Sequence, residues 1–398
     1  MIDPVFLEVS VVVLGIFLLM AEAFGLAKQK STLAWWAIGG LAAVFIGTFL
    51  IGPNANSFEV SGFYVVDGLS LFFKRFVLIS TILVLVMSVD YLPIVQRLVP
   101  AERPGAGSGE FFILPVFTCA GLMWLVSATD FIMIFCALEL VTISFYIQVA
   151  YLRRSMSSLE AGTKYLILGA LSTGFLVLIR VLEPFFTVPS FQSKLFLALV
   201  LLALLTLIFG NLAAIPQTNF KRLLGYSSIA HAGYLLMGLA AIGDVFAGRA
   251  VVFYLSGYLV MTFLAFLILV PVTKASGGDD IAHFNGLARR SPGLALAMLI
   301  AAASLAGVPF TVGFFGKFFI FEAAMNQGLY LLVLVGIVTV ASGFYYYFKV
   351  IRAMYWQPAP EDAGPVAITK TSSVAIFILA TLILILGVYP QLLIGMLP

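Results

Sequence analysis

The sequence predicts an all-α integral membrane protein, and three features carry that prediction. Of its 398 residues, 62% are hydrophobic and only 10% are charged, where a soluble domain usually carries about 25% charged residues. Mean hydropathy is +1.13, which calls for a bilayer rather than water as solvent. The apolar residues also gather into about 12 runs, most of them near the roughly 20 residues a helix needs to cross the hydrocarbon.

The runs lie near 5–24, 33–52, 68–90, 111–127, 130–151, 161–183, 194–215, 225–242, 249–272, 292–325, 328–353 and 372–396. The first reads as a retained span rather than a signal peptide. The tenth is too long for one straight crossing and holds Pro309 in mid-run. Proline removes a helix hydrogen bond and clashes with the preceding turn, which predicts a broken helix there. With the N-terminus outside, the inner loops collect most of the Lys and Arg, among them Lys28, Lys30, Arg153, Arg154, Arg289 and Arg290. The outer loops keep only Lys194 and Arg249. By the positive-inside rule both termini are then outside. Loops 91–110 and 274–291 hold the Gly, Pro and Asp of surface turns. No soluble domain or linker interrupts the spans, so residues 1–398 read as a single membrane domain.

Several function classes drop out. A dispersed net charge of +3 gives no footprint for nucleic acid. Cys119 and Cys136 lie in apolar runs without a CxxC or His-linked pattern, which argues against a disulfide framework and a metal site. His231 and His283 are the only histidines, too few for a redox-metal centre.

The informative residues are the charges inside spans. A Lys or Asp at mid-helix costs roughly 2.5–3.5 kcal/mol on insertion scales, so such groups usually face a bundle interior or a wet cavity. Glu139, in FCALELVTISF, sits near the middle of the fifth span. Lys317 follows the Pro309 break in the tenth. His231 lies in GYSSIAHAGY, with Ser227, Ser228, Tyr226 and Tyr234 at helical spacing. Acid, base and imidazole at comparable depth are what a proton relay requires, since burial and neighbours set when each holds its proton. Plainer readings stand beside this one. Glu139 could pair two helices, Lys317 could snorkel to an interface, and His231 could be a hydrogen-bonded core histidine. Lys74 and Arg75 read as snorkelling outward or lining a neighbour contact, and Arg180 as snorkelling. Lys164 reads as a positive-inside anchor. Runs such as GFYYYFKV at 343–350 read as packing or interfacial belts.

Longer motifs add a resemblance. FGNLAAIPQTNFKRLLGYSSIAHAGYLLMGLAA at 209–241 resembles the central signature of the antiporter-like membrane subunits of respiratory complex I, most closely the subunit-N branch of bacterial NADH:quinone oxidoreductase. SLAGVPFTVGFFGKFFIF at 304–321 and FCALELVTISFYIQVAYLRRSMSSLEAGTKYLI at 135–167 support it. The likeness runs from about residue 60 to the C-terminus. It implies two inverted repeats of five helices, each with a broken helix. N-terminal helices would occupy 1–110, a first repeat 111–186, a second repeat 194–353 and a C-terminal helix 372–398. No redox cofactor is implied on this chain; NADH, FMN, Fe–S clusters and quinone belong to sister subunits. The implied partners are those membrane subunits, the lipid bilayer and protons, in a bacterial inner (plasma) membrane. Glu139 would pair with a first-repeat lysine, and Lys317 would exchange protons with the far side. Lys221 and His231 would lie on the lateral axis between repeats.

One departure matters. The family places a further span and a lysine-bearing broken helix, with a motif like VPFxxWxPDVYQGAP, after the helix that resembles SLEAGTKYLILGALSTGF. Here GALSTGF at 169–175 passes directly into LVLIRVLEPFF at 176–186. The first repeat is therefore truncated, and Lys164 is the only nearby partner left for Glu139. Three readings result: a proton-translocating subunit, a cation/proton antiporter or membrane hydrogenase subunit of the same superfamily, and a structural subunit that conducts nothing.

Overall fold

The computed structural model describes residues 4–27, 29–50, 58–60, 63–98, 109–149, 151, 189–241, 244, 246–360 and 364–396. Twelve principal helices form among them, each around an apolar run of the sequence. In chain order α1 is Val5–Ala23, α2 Lys30–Gly47, α3 Gly68–Leu98, α4 Glu110–Ser127, α5 Phe131–Val149 and α6 Pro189–Ala214. α7 is Phe220–Ala240, α8 Ala247–Ser276, α9 Pro292–Ala306, α10 Val312–Asn326, α11 Tyr330–Trp356 and α12 Lys370–Val388. Nine helices among the described residues are long and apolar enough to span a membrane. The sixth run, at 161–183, lies outside the described residues, and Lys164 and Arg180 with it.

Two compact units divide at Pro184 and Phe185. In the first, α1, α2, α3 and α4 pack on one another and α5 lies along α4. Their shared core includes Val11, Leu18, Leu41, Leu78 and Phe112. A hairpin of β1 (Phe58–Val60) and β2 (Tyr64–Val66) precedes α3. It docks on the end of α4, where Tyr64 bridges to Ala128. Asp67 starts α3 with a reciprocal cap, its carboxylate accepting from the Ser70 amide at 2.7 Å while Ser70 Oγ accepts from the Asp67 amide at 2.8 Å. This satisfies donors that the first turn of a helix leaves open.

In the second unit α6 lies along α7, while α8 touches α7, α9, α10 and α12. Asn219 caps α7 by accepting from the Arg222 amide, a strongly preferred use of Asn. The tenth run is broken as predicted: α9 stops at Ala306 and α10 begins at Val312, with Pro309 between. Gly307 turns the chain with φ of 93°, and Phe310 holds a φ of 66°, a region that residues with side chains rarely occupy.

Candidate functional site

The break in the second unit has its polar groups accounted for. The last four carbonyls of a helix lack intrahelical partners. At the end of α9, Ala303 and Ser304 receive the Gly307 amide at 3.0 and 2.9 Å, and Ala303 also receives the Val308 amide. Leu305 and Ala306 receive Lys317, whose Nζ lies 3.0 and 2.9 Å from their oxygens. A cation at a helix C-terminus also meets the negative end of the helix dipole. Only 6% of Lys317 is exposed, so it does not snorkel. Its ammonium group caps the half-helix α9 from within α10 and lies 5.3 Å from the centre of the Tyr234 ring.

Tyr234 leads to His231, one turn earlier on α7. Both are buried, and the Tyr234 hydroxyl reaches Thr339 Oγ1 at 3.1 Å and the Gly336 carbonyl at 3.3 Å on α11. The His231 ring stacks on Tyr258 at 4.5 Å between centres, and its Nδ1 lies 2.7 Å from the Tyr254 hydroxyl. Tyr254 has no other hydrogen-bond partner among the described residues. A buried hydroxyl that failed to donate would cost about 1–3 kcal/mol. An unpartnered imidazole N–H would cost as much, so the bond can run either way and the His231 tautomer sets which atom donates. Gly316, next to Lys317, leaves room for Tyr254: a Cβ there would sit 2.7 Å from the ring. The polar line continues one turn down α7. Ser227 bonds the Tyr347 hydroxyl, and Tyr346 reaches both Ser227 and Asn211 Oδ1.

Lys317 and His231 are thus brought into one buried cluster by α7, α8, α10 and α11. Lys221 is not part of it. It begins α7 in the open, with 58% of its side chain exposed, and pairs with Asp279 at 3.2 Å. Glu139 is half-buried on α5 in the other unit, and its expected partner Lys164 falls outside the described residues.

Two groups of residues take parts that the sequence does not name. The 343–350 run divides between packing and an exposed face as expected, with Tyr346 and Tyr347 buried and Tyr345 and Phe348 exposed, but the two buried tyrosines are also hydrogen-bonded into the polar line. Their spacing from Gly336, Thr339 and Gly343, all buried on α11, is the helical period that would have revealed the inward face. Of the two placements expected for Lys74, snorkelling fails and the neighbour contact holds. Wholly enclosed, it pairs with Glu8 at 2.7 Å, because the side chains of α1, α3 and β2 meet at one end of the first unit. Its neighbour Arg75 turns the other way, donating to Thr48 at the end of α2.

A bundle of apolar helices around a discontinuous helix, with a lysine held at the discontinuity, defines a class of membrane protein in which half-helix ends form polar sites. The particular family is shown by comparison. Residues 128–182 and 173–343 match the model of the NADH:quinone oxidoreductase/Mrp antiporter transmembrane family, and the chain belongs to it. NADH-quinone oxidoreductase subunit N 2 of Solibacter usitatus is 32% identical over 463 aligned positions, covering 94% of this chain and 88% of the relative. That alignment is longer than the chain, so the relative has positions for which this chain has no residue. The two family matches meet at 173–182, where GALSTGF runs into LVLIRVLEPFF. In fold, the chain is similar to a subunit of respiratory complex I from Thermus thermophilus with bound aureothin (TM-score 0.77, 24% identity, 98% of both chains). It is also similar to the archaeal membrane-bound sulfane sulfur reductase (TM-score 0.81, 18% identity, 99% of this chain and 96% of that one).

Proposed function

We propose that the chain is a subunit-N-type membrane subunit of a proton-translocating NADH:quinone oxidoreductase in a bacterial inner membrane. In this reading electron transfer from NADH to quinone occurs in sister subunits, which hold FMN, Fe–S clusters and quinone. The present chain contributes proton handling and no redox chemistry of its own. The observation that carries the proposal is the contact between the α9–α10 break and the His231 cluster. Lys317 is held there by carbonyls it can leave without stranding an opposite charge. The aromatic hydroxyls and imidazole beside it can donate and accept in turn. Lys317 is the exchanging group and His231 the relay toward Ser227, Tyr346 and Tyr347. Glu139 and Lys164 act in the first repeat, and Lys221 acts at the entrance of α7.

The truncated first repeat favours a second reading, a structural subunit that packs against its neighbours and conducts nothing. Lys317→Ala in the assembled complex separates the two. The relay reading expects NADH oxidation and assembly to persist while proton pumping falls at least several-fold. Pumping equal to wild type would leave only the structural reading. An Mrp-type antiporter role is distinguished by cation-driven proton exchange without NADH.

A further inference from the structure

The first unit holds a second buried charge cluster that the relay does not use. Glu8 on α1, Lys74 on α3 and Tyr64 on β2 are almost wholly enclosed, at 0%, 0% and 2% exposure. Glu8 Oε1, Lys74 Nζ and Tyr64 Oη form a triangle. The ammonium–carboxylate edge is 2.7 Å, the bond from Tyr64 to Glu8 is 2.8 Å, and the bond from Lys74 to Tyr64 is 2.9 Å. Both donors converge on the same carboxylate oxygen. The other, Oε2, is buried and receives no hydrogen bond among the described residues. Ser127 Oγ, at the end of α4 next to the residue that bridges Tyr64, is likewise buried without a partner.

Pure packing does not require this arrangement. Enclosing two charges carries a desolvation cost that their attraction repays only when the remaining lone pairs are also satisfied. Here Oε2 receives no donor from the described residues, and that free oxygen is where the next proton goes. A proton on Oε2 breaks none of the three contacts, because Oε1 remains a carbonyl acceptor for Lys74 and Tyr64. Among the described side chains, the other titratable or charged groups at this end are Asp67 and Arg75 on α3 and Asp130 after α4, with Cys119 further along α4. Arg75 is committed to Thr48 and Asp67 to the α3 cap.

We infer that Glu8, Lys74 and Tyr64 form a proton-holding site of the N-terminal helices, in which Glu8 Oε2 takes up one proton and later returns it. On uptake the carboxylate becomes a carboxylic acid, Lys74 stays an ammonium and the cluster gains one positive charge; release reverses each change. That the exchange belongs to turnover rests on the proton-translocation reading above.

Infrared difference spectroscopy on the assembled complex tests the site, between oxidised and NADH-reduced states and across a pH series. The expected result is a protonated-carboxyl stretching band that shifts in deuterium oxide and disappears in Glu8→Gln. Glu8→Gln alone leaves the Lys74 ammonium without a counter-charge in every state, so Glu8→Gln with Lys74→Met is the companion variant. It should assemble and oxidise NADH with a lower proton yield per electron. Absence of a Glu8-dependent band in both the redox and pH series overturns the site. A band that appears only in the pH series, with an unchanged proton yield in the double variant, overturns its part in turnover. Should Lys317→Ala leave pumping intact while the Glu8 band persists, the translocation reading fails and the site stands.

Discussion

Lys74 and Lys317 are both enclosed lysines in apolar helices, yet the two units neutralise them by different means. In the first unit the partner is a carboxylate brought from another helix, with a tyrosine closing the triangle. In the second it is the backbone itself, two carbonyls released by a helix that stops short. The first arrangement is charge against charge, and removing either member strands the other. The second is charge against dipole, and its carbonyls can turn to water when the ammonium leaves. A lysine that must change partners or protonation is better served by the second.

That difference gives the largest expected effect. Lys74→Met leaves an enclosed, uncompensated carboxylate, and breaking a buried pair in this way costs about 3–5 kcal/mol. Lys317→Met frees two carbonyls, each costing about 1–3 kcal/mol only if it stays unsatisfied, and both belong to a helix end that can turn to water. Thermal unfolding of the two purified variants should therefore rank Lys74→Met clearly below Lys317→Met, with pumping ranked the opposite way if the relay runs through Lys317. Equal destabilisation would remove the distinction between the two lysines.

A second test leaves every titratable group in place. α12 passes the break at Gly387, where an added Cβ would collide with the Phe310 carbonyl oxygen and the Thr311 Cα. These are backbone atoms of a turn already held at an unfavourable φ, so they cannot give way as a flexible side chain would. Gly387→Ala should displace the α9–α10 turn, loosen Lys317 from Leu305 and Ala306, and lower pumping without affecting the Glu8 cluster. Thermal stability should fall by about 1–3 kcal/mol, the range for overpacking. Pumping and stability equal to wild type would mean that the turn does not position Lys317.

How far the sequence disclosed these sites follows from what each depends on. The break was legible because Pro309 interrupts a run too long for one crossing, and Lys317 because a charge stands among phenylalanines. His231 was legible from its polar neighbours on α7. The Glu8–Lys74 pair was not, because its members are 66 positions apart in the chain and each sits near a span's end, where a snorkelling charge is ordinary. Tyr254, on α8, was hidden for another reason. Nothing in YLSGYLV separates a tyrosine that bonds a histidine from one that fills space, since only the placement of α8 against α7 decides. The face of α11 that buries Tyr346 and Tyr347 was available in principle, from the helical spacing of its small and hydroxyl residues.

Lys221 supplies the weak end of the same comparison, a lysine paired with an acid but left in the open. Partial burial pushes the Asp279 carboxyl up, yet the Asn219 amide and the Lys221 ammonium outweigh this and hold it below its ordinary value. Because the folded value is the lower one, the carboxylate contributes stability at neutral pH. That contribution is lost as pH falls below about 4 and through the folded value. Exposed pairs are worth about 0–1 kcal/mol and are screened by salt. Asp279→Asn should thus lower neutral-pH stability by less than about 1 kcal/mol, with the difference shrinking at high salt and vanishing in acid. The same variant tests the entrance role of Lys221. If the Asp279 carboxylate gathers protons for α7, pumping falls at neutral pH with little change in stability; if the pair only ties the 274–291 loop to α7, stability falls and pumping does not. A large stability loss that persists at high salt would show that this pair, too, behaves as a buried one.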